Sequence, residues 1–289
     1  MKKTVVAIGE ILWDVFPEGK KAGGSSMNVA LNLHKQHINS QFISAVGNDE
    51  NGKELISFLE SQNYPTPLIQ QLTQLPTSTV QVILDEQHQA NYTIVEPVAW
   101  DAIELTNEAI SAVSQADALV YCSLTCRNEK SKATILALLK LAKLKIFDIN
   151  LRPPYYNITT LKALLSEADI LKVNEHELVY LRDELSLSGN TDEQLLKQLS
   201  QLFQIKIICL TLGEKGANVL AEGKLHHHSG YAVEVADTVG AGDSFLATFI
   251  SSYLQGYPVD TILDRACKVG AYVASQPGAN PDYGDEVFS

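Results

Sequence analysis

Positive charge is scarce in this sequence. The 289 residues include 22 lysines and arginines against 34 aspartates and glutamates, which gives a formal net charge of −12. A charge of this sign argues against general nucleic-acid binding, so we expect no nucleic-acid partner. It does not exclude an anionic substrate, because a local pocket of backbone amides and one arginine can oppose the overall field.

Cysteine is also sparse, with four residues in the whole chain. Cys122 and Cys126 are separated by three residues, and neither a second pair nor a histidine cluster follows at zinc-binding spacing. We therefore expect buried, reduced thiols rather than a metal site or disulfides. The run of three histidines at 226–228 is interpreted as a solvated strand end, because no cluster of ligand residues accompanies it.

Long hydrophobic runs are missing as well. The first apolar run ends at Gly9 and Glu10, too early for the apolar segment of a signal peptide, and no stretch reaches transmembrane length. The content of 45% hydrophobic and 19% charged residues is that of an ordinary globular protein. We expect a cytoplasmic enzyme without a membrane partner, built as a single main domain over residues 1–289.

Two common nucleotide-binding signatures are absent. The chain has no G-x-x-x-x-G-K-[ST], which excludes a P-loop NTPase. No G-x-G-x-x-G follows the first predicted strand, which argues against a dinucleotide-binding enzyme. Any phosphate site in this chain is therefore expected to be built differently.

Strand-like and helix-like segments alternate along most of the chain. This alternation predicts an α/β fold, a doubly wound, mostly parallel sheet with helices on both faces. The predicted strands are 4–9, 41–46, 118–122, 145–148, 170–173 and 206–211, with an antiparallel addition at 219–221 and 224–227. The predicted helices are 26–37, 52–62, 129–143, 158–167, 175–184, 191–203, 242–255 and 260–275.

One pair of segments interrupts the alternation. Residues 79–84 and 90–95 are β-rich runs separated by a polar turn, which predicts a hairpin. Together with residues 10–22, this hairpin is interpreted as a small β lid. Because two-stranded units are marginal alone and have open edges, we expect a homodimer formed through residues near 79–95.

The most informative motif is D-T-V-G-A-G-D-S-F at residues 237–245. Gly240, Ala241 and Gly242 allow a tight turn whose N–H groups, with the positive end of the following helix, suit a phosphate. Asp243 places a carboxylate next to this predicted anion site, where it would repel the anion. Its presence is explained if it accepts a proton from the group that attacks the phosphate. The alternative is a glycine-rich helix entry with an Asp N-cap.

Two further segments carry candidate binding groups before the first helix. In A-G-G-S-S-M-N-V-A at 22–30, Gly24 allows close backbone approach and Asn28 offers a donor and an acceptor for a sugar hydroxyl. The alternative is a plain loop in which Asn28 caps a helix. Asp14 follows the first predicted strand and could bind vicinal hydroxyls, or be a solvated loop acid.

Three later segments follow predicted strands in the same way. Arg152 could hold a phosphate through its planar guanidinium, or form a surface salt bridge. Asn174 and Glu177 fit a capping box, while a carboxylate at that strand end could instead order Mg²⁺-bound water. The turn T-L-G-E-K-G at 211–216 could admit a nucleotide or simply build a hairpin.

Together these motifs resemble the ribokinase-like (PfkB) carbohydrate kinase family, and within it the fructokinase-like branch. The resemblance runs from the first strand to the Pro-Gly pair at 277–278. Two departures stand out: Gln36-His37 replaces the usual Leu-Gly pair, and residues 90–101 match no generic fructokinase pocket. The matching motifs are G-G-x3-N at 23–28, V-G-x-D-x2-G at 46–52, F-D-x-N-L-R at 147–152, N-x2-E at 174–177, T-x-G-x2-G at 211–216 and D-T-x-G-A-G-D at 237–243.

The resemblance implies an ATP- and Mg²⁺-dependent sugar kinase whose sugar lies between the strand ends and the β lid. It implies D-fructose phosphorylated at its 6-hydroxyl, with 2-keto-3-deoxygluconate or ribose as alternative substrates and a non-catalytic sugar- or nucleotide-binding regulator as the alternative class. Some relatives bind a monovalent cation near Asp237, so K⁺ is a further candidate. The implied roles are Asp243 as general base; Gly240, Ala241 and Gly242 as anion hole; Asp14, Gly24, Asn28 and Arg152 at the sugar; Asn174, Thr211, Gly213, Gly216 and Thr238 at the nucleotide; and Glu177 at Mg²⁺ through water.

Overall fold

A nine-stranded sheet forms the centre of the molecule in the computed structural model, which describes residues 2–17, 19–84 and 90–288. The strands of the described chain are β1 Thr4–Ile8, β2 Leu12–Phe16, β3 Gly19–Gly23, β4 Asn39–Gly47, β5 Ile69–Leu72, β6 Ser78–Leu84, β7 Ala90–Ile94, β8 Ala118–Cys122, β9 Lys145–Asp148, β10 Ile170–Asn174, β11 Ile207–Thr211, β12 Ala217–Ala221 and β13 Lys224–His228. The helices are α1 Ser25–Lys35, α2 Glu50–Ser61, α3 Asn107–Gln115, α4 Glu129–Leu139, α5 Ile158–Leu165, α6 Glu175–Glu184, α7 Asp192–Phe203, α8 Ala241–Leu254 and α9 Val259–Ala274.

The large sheet has the order β13-β12-β11-β10-β9-β8-β1-β4-β5. All its neighbours are parallel except β11-β12 and β12-β13, which are antiparallel. The predicted α/β fold class is therefore confirmed, including the antiparallel addition at one edge.

Both faces of the central strands of this sheet are buried, which explains why strands such as β1 and β8 are almost entirely apolar. In β1, Val6 and Ile8 face one core cluster, while Val5 and Ala7 face the other. This alternation is what a period-2 strand gives when helices cover both faces. The first cluster takes its helical residues from α3 to α7, and the second from α1, α2, α8 and α9.

Helix α3 and strand β5 are not predicted from the sequence, because their hydrophobic patterns are weak. Helix α3 buries Ala109 and Val113 as its fully buried residues, so its apolar stripe is narrow. Strand β5 has the sequence I-Q-Q-L and buries only Ile69 fully, because it lies at the edge of the sheet. Short, half-exposed elements of this kind carry little hydrophobic periodicity.

A second, four-stranded sheet has the order β3-β2-β6-β7. Strands β2 and β3 pair antiparallel, β2 and β6 parallel, and β6 and β7 antiparallel, with Val80 opposite Ile94. The segments expected to form the lid thus share one sheet. The polar turn expected between β6 and β7, residues 85–89, and position 18 lie outside the described residues.

The carboxyl ends of β1, β8, β9, β10 and β11 lie along one edge of the large sheet, as parallel pairing requires. At or just after the ends of β9, β10 and β11 lie Arg152, Asn174, Glu177, Thr211, Gly213 and Gly216. Within the described ranges, no helix is both long and apolar enough to cross a membrane. All four cysteines are buried and unbridged.

Candidate active site

Asp243 lies in the first turn of α8 and is held by two side chains from α1. Its Oδ1 accepts a hydrogen bond of 2.7 Å from the Ser25 hydroxyl, and its Oδ2 accepts one of 2.8 Å from the Asn28 amide nitrogen. The two helices begin side by side, so residues more than 200 positions apart in sequence meet here. The carboxylate is half-buried and lies at the positive end of a helix.

The turn that precedes Asp243 requires glycine at its first position. Gly240 has φ of 80°, in the left-handed region, and a Cβ at this position would lie 2.5 Å from the Ala279 carbonyl oxygen. The Ala241 N–H donates to the Thr238 carbonyl at 3.3 Å, which closes the turn. Residues 240–242, called here the glycine turn, therefore present the first N–H groups of α8.

Asp237 fastens the other end of this segment. Its Oδ1 accepts from the Val239 N–H at 3.0 Å, and its Oδ2 accepts from the Gly278 N–H at 3.2 Å. Thr238, expected at the nucleotide, has an exposed side chain, and its carbonyl serves the turn. The loop before α8 is thus tied to the segment that follows α9.

Asn28 is more fully engaged than the sequence suggested. Its side chain is buried; the amide nitrogen donates to Asp243, and its Oδ1 accepts from the Asn280 amide nitrogen at 2.7 Å. Asn280 therefore fixes which way the Asn28 amide points. Sequence reasoning missed both Ser25 and Asn280, because nothing local to them signals a contact with residues so distant in the chain.

Gly24 occupies the position just before α1. It has φ of 114°, and a Cβ there would lie 2.5 Å from the Glu10 carbonyl oxygen. Its own carbonyl accepts from the Asn28 N–H at 2.8 Å, so it begins the helix. The expectation of close backbone approach at Gly24 agrees with this packing, and here the approaching group is another part of the chain.

Asp14 is the third residue of β2 in the small sheet, rather than a loop acid after β1. Burial raises its pKa to about 6; Arg152 and Lys21 act in the opposite direction, and Asp237 adds to the rise. Asp14 is therefore within electrostatic range of Arg152, a second expected site residue, and of Asp237 in the loop before α8. The Arg152 guanidinium is exposed and forms no hydrogen bond or ion pair with the described residues, whereas the Arg152 carbonyl accepts from the Tyr155 N–H at 2.8 Å.

Asn174 and Glu177 form the capping box that the sequence left open as an alternative. Asn174 Oδ1 accepts from the Glu177 N–H at 2.9 Å, and Glu177 Oε2 accepts from the Asn174 N–H at 2.8 Å. Glu177 is buried, and its Oε1 accepts from the Leu151 N–H at 3.0 Å. The Glu177 carboxylate thus joins the loop after β9 to the start of α6 through hydrogen bonds to backbone N–H groups alone.

The turn after β11 combines a required glycine with an open one. Gly216 has φ of 85°, and a Cβ there would meet the His228 carbonyl oxygen, so the hairpin to β12 and β13 needs it. Gly213 has φ of 59°, is exposed and faces open space. The Thr211 hydroxyl donates to the Val173 carbonyl at 3.4 Å. Gly213 is therefore the position of this turn that a ligand could approach.

A buried ion pair lies beneath the glycine turn, and sequence reasoning assigns no role to either member. Lys172 Nζ is 3.0 Å from Asp148 Oδ1 and 3.3 Å from Oδ2. A Cβ placed on Gly242 would lie 3.4 Å from this ammonium group. In the sequence, Lys172 stands within the apolar run that predicts the strand 170–173.

Taken as chemistry, this edge of the sheet offers a carboxylate at a helix N-terminus, a turn of N–H groups and a nearby cluster of Asp14, Arg152 and Asp237. The carboxylate can accept a proton, and the turn can bind an anion. No group of three or more His, Cys, Asp or Glu in the described residues could hold a metal ion by itself.

Comparisons with known proteins agree with this geometry. A fructokinase of Vibrio alginolyticus is 28% identical over 292 residues, covering 94% of this chain and 92% of the relative. The fructokinase of Vibrio cholerae O395, solved in a fructose-, ADP- and calcium-bound form, is 25% identical with a TM-score of 0.81 over 96% of this chain and 94% of that one. A double mutant of the same enzyme, 26% identical with a TM-score of 0.80 and the same coverage, was solved with fructose, ADP and potassium.

A further solved structure shares the fold alone. The 2-dehydro-3-deoxygluconokinase of Thermotoga maritima has a TM-score of 0.87 over all of this chain and 97% of its own, at 17% identity. The family model described as pfkB family carbohydrate kinase matches residues 9–284, which include every site residue discussed above. This chain therefore belongs to the pfkB family of carbohydrate kinases.

Proposed function

We propose that this sugar kinase transfers the γ-phosphoryl group of ATP to the primary 6-hydroxyl of D-fructose. The observation that carries the proposal is the position of Asp243, whose carboxylate lies beside the glycine turn at the start of α8 and is oriented by Ser25 and Asn28. The fructokinases of Vibrio alginolyticus and Vibrio cholerae support fructose as the acceptor.

In the proposed reaction the fructose 6-hydroxyl oxygen attacks the γ-phosphorus in line. The new bond joins this oxygen to phosphorus, the bond from phosphorus to the β-γ bridging oxygen breaks, and ADP leaves. The hydroxyl proton passes to Asp243. Because charge is spread over the three equatorial oxygens in a loose transition state, N–H groups of the glycine turn stabilise it without forming any covalent bond.

The sugar-binding roles are assigned from the geometry around Asp243. Asn28 lies against the base, so a hydroxyl it binds is held next to the proton acceptor. Asp14 and Arg152 are close enough to interact electrostatically. The Asp14 carboxylate suits sugar hydroxyls, and the Arg152 guanidinium suits the transferring phosphate. Gly24 contributes by allowing the chain to enter α1 at this point. Rigid positioning of this kind supplies much of the rate in bimolecular transfers.

The nucleotide is proposed to lie along the ends of β10 and β11. Gly213 faces open space and is exposed, which leaves room for a planar or ribose group. Asn174, Thr211 and Gly216 support this surface through the capping box and the hairpin. Thr238 flanks the glycine turn from the exposed side.

Mg²⁺ is proposed as the cofactor, bound mainly by the phosphates of ATP. When bound, it neutralises charge on the β- and γ-phosphates. Glu177 fits a role through ordered water only, because both of its oxygens already accept backbone N–H groups. K⁺ near Asp237 is a second proposed ion, motivated by the potassium-bound structure of the Vibrio cholerae double mutant. Replacing K⁺ by choline in the assay tests it.

The small sheet is proposed to act as a lid on the same single domain, and as the surface of a homodimer. The carboxyl end of β7 is attached to the rest of the domain, because the Tyr155 hydroxyl donates to the Ile94 carbonyl at 2.8 Å and Arg127 donates to the Val95 carbonyl at 2.9 Å.

We propose the cytoplasm as the location of this protein, where ATP is supplied and the four buried thiols stay reduced.

The test is a coupled assay of ADP release with fructose, 2-keto-3-deoxygluconate and ribose. Fructose is expected to give the highest kcat/KM. Turnover on another sugar but not on fructose would retain the kinase and refute the fructose assignment. Tight sugar binding without turnover on any of the three would favour the non-catalytic regulator, against which the intact Asp243 and glycine turn argue.

A further inference from the structure

The buried ion pair beneath the glycine turn is placed by strand register. Lys172 on β10 is directly opposite Asp148 on β9 in the parallel pairing. Their side chains are 8% and 3% exposed, so both charges are withdrawn from water. Two residues after Lys172 the strand ends at Asn174, where the capping box begins. The pair therefore lies just inside the edge of the sheet at which the site is built.

Acidic groups surround Lys172. Burial alone would lower its pKa, but the carboxylates of Asp148, Glu177 and Asp243 outweigh burial and hold the pKa well above its usual value. The side chain is therefore an ammonium ion at neutral pH. Lys172 is thus a positive charge among three acidic side chains, and burial holds the pKa of the nearest of them, Asp148, above its usual value.

The ammonium group also lies against the glycine turn. A Cβ at Gly242 would be 3.4 Å from Lys172 Nζ, so the cation lies close to the backbone of the turn that is expected to hold the phosphoryl group. A positive charge at this depth is screened much less than one on the surface.

Stability alone does not account for this pair. Withdrawing two charges from water is unfavourable, and replacing a buried ion pair by apolar residues of similar volume is often neutral or stabilising. A pair retained in such a place is more readily explained by what its charge does for a neighbouring site.

We propose that Lys172, held in place by Asp148, is a positioning residue for phosphoryl transfer, supplying the positive charge behind the glycine turn that lets a polyphosphate bind there beside Asp243. This inference rests on the proposed kinase reaction and adds the two buried residues to it. Lys172 acts through the turn and through Asp243 rather than by touching the sugar.

The test removes the pair without leaving either charge unpaired. In the double variant Lys172→Met/Asp148→Val, the melting temperature is expected to stay within a few degrees of wild type. The kcat is expected to fall about a hundredfold, as when one oxyanion donor is lost, while the sugar KM changes less than about twofold. A kcat within about threefold of wild type in a folded double variant overturns the inference.

The matched control removes a second ion pair that has no contact with the site. Lys145 and Glu167 lie at the opposite end of β9, with Nζ 2.6 Å from Oε2. The variant Lys145→Met/Glu167→Gln also removes one charge of each sign, and its kcat is expected to equal that of wild type. An equal loss in both variants would show a general effect of core or charge and overturn the specific role.

A binding measurement separates this inference from the proposed reaction. Calorimetry with Mg²⁺ and a non-hydrolysable ATP analogue is expected to show about tenfold weaker binding to the double variant at Lys172 and Asp148. If wild type phosphorylated none of the sugars, the proposed reaction would fail, yet the analogue affinity would still decide the inference. Unchanged affinity of the double variant for the analogue overturns the inference. Should the double variant not fold, the variant Lys172→Arg, which keeps the positive charge, is expected to retain the affinity. A loss of analogue affinity in Lys172→Arg contradicts the electrostatic role.

Discussion

At the scale of single residues, Asp243 is distinguished by what surrounds its carboxylate. Each oxygen accepts one hydrogen bond from α1, and the carboxylate lies in the first turn of α8. Such a group is oriented and ready to accept a proton. The same contacts make it a poor candidate for a merely solvated acid.

Asp243→Asn is expected to lower kcat by about a thousandfold or more, because the amide cannot take the hydroxyl proton. Sugar binding is expected to stay nearly intact by calorimetry, since the amide keeps the shape of the side chain. Asp192→Asn, also in the first turn of a helix, is the control and should turn over like wild type. A residual rate above about a tenth of wild type, a barrier change under ~1.4 kcal/mol, contradicts the role as base.

Asp14 gives a second prediction at this scale, through pH. Burial raises its pKa to about 6, so it is charged above pH 6 and gains a proton below it. The sugar KM is expected to rise as pH falls from 7 to 5, because the protonated carboxyl loses an acceptor for sugar hydroxyls. Initial rates at saturating ATP measure this.

The variant Asp14→Asn supplies the control for this pH effect. It should show a raised sugar KM that no longer changes across the same range. It should also raise the free energy of unfolding at pH 7 by about 1 kcal/mol, because a raised carboxyl pKa means that the folded state disfavours the charged form. This destabilisation of wild type is present above pH 6 and is lost below the pKa that Asp14 has in the unfolded chain. A KM that is flat in wild type would show that the Asp14 charge does not bind sugar.

At the scale of elements, the start of α8 depends on backbone that only glycine adopts easily. Gly240 has a left-handed φ, and the space that a side chain would need there is occupied by a carbonyl oxygen of the segment after α9. The glycine turn is therefore fixed by tertiary packing and local conformation together. Its geometry cannot relax without moving residue 279.

Gly240→Ala is expected to destabilise the fold by about 2 kcal/mol or more and to abolish turnover, because the clash is with backbone. Gly256→Ala is the matched control: Gly256 follows α8 with φ of 81° and has open space around it. Its variant should pay only the left-handed penalty, about 1 kcal/mol, and keep its kcat. Denaturant unfolding and initial rates measure both. Equal effects of the two changes would contradict the argument.

The elements also show what sequence could and could not predict. The strands of the large sheet were predictable because burial on both faces makes them continuously apolar, as in β1 and β8. Helix α3 and strand β5 were not, since each buries one or two residues. In the site, Asp243 and the glycine turn follow from local spacing. Lys172, Ser25 and Asn280 do not, because their partners lie in distant segments and their residue types are ordinary where they stand.

At the scale of the whole molecule, the small sheet joins strands from two separate stretches of chain. Strands β3 and β7 are its outer strands among the described residues, and each has an edge without a strand partner there. Val95, just after β7, is 39% exposed. An open edge beside an exposed apolar residue is the kind of surface that a second copy covers.

Light scattering is expected to give twice the chain mass for wild type and the single-chain mass for Val95→Lys, because a buried lysine at the pairing edge is unfavourable. Val235→Lys is the control, since Val235 is 58% exposed in the loop before α8, and this variant should stay dimeric. A monomeric wild type, or a Val95→Lys variant with unchanged mass, would refute dimerisation through this sheet.

The contact between Asn28 and Asn280 spans 252 positions in the chain. The segment after α9 also accepts hydrogen bonds from Lys35 through the carbonyls of Asn280 and Pro281. A chain growing from its amino terminus can form the whole large sheet before the segment after α9 exists. The orientation of the Asn28 amide is therefore settled only after residue 280 has been made, so a chain clipped before this segment would fold around an unfinished site.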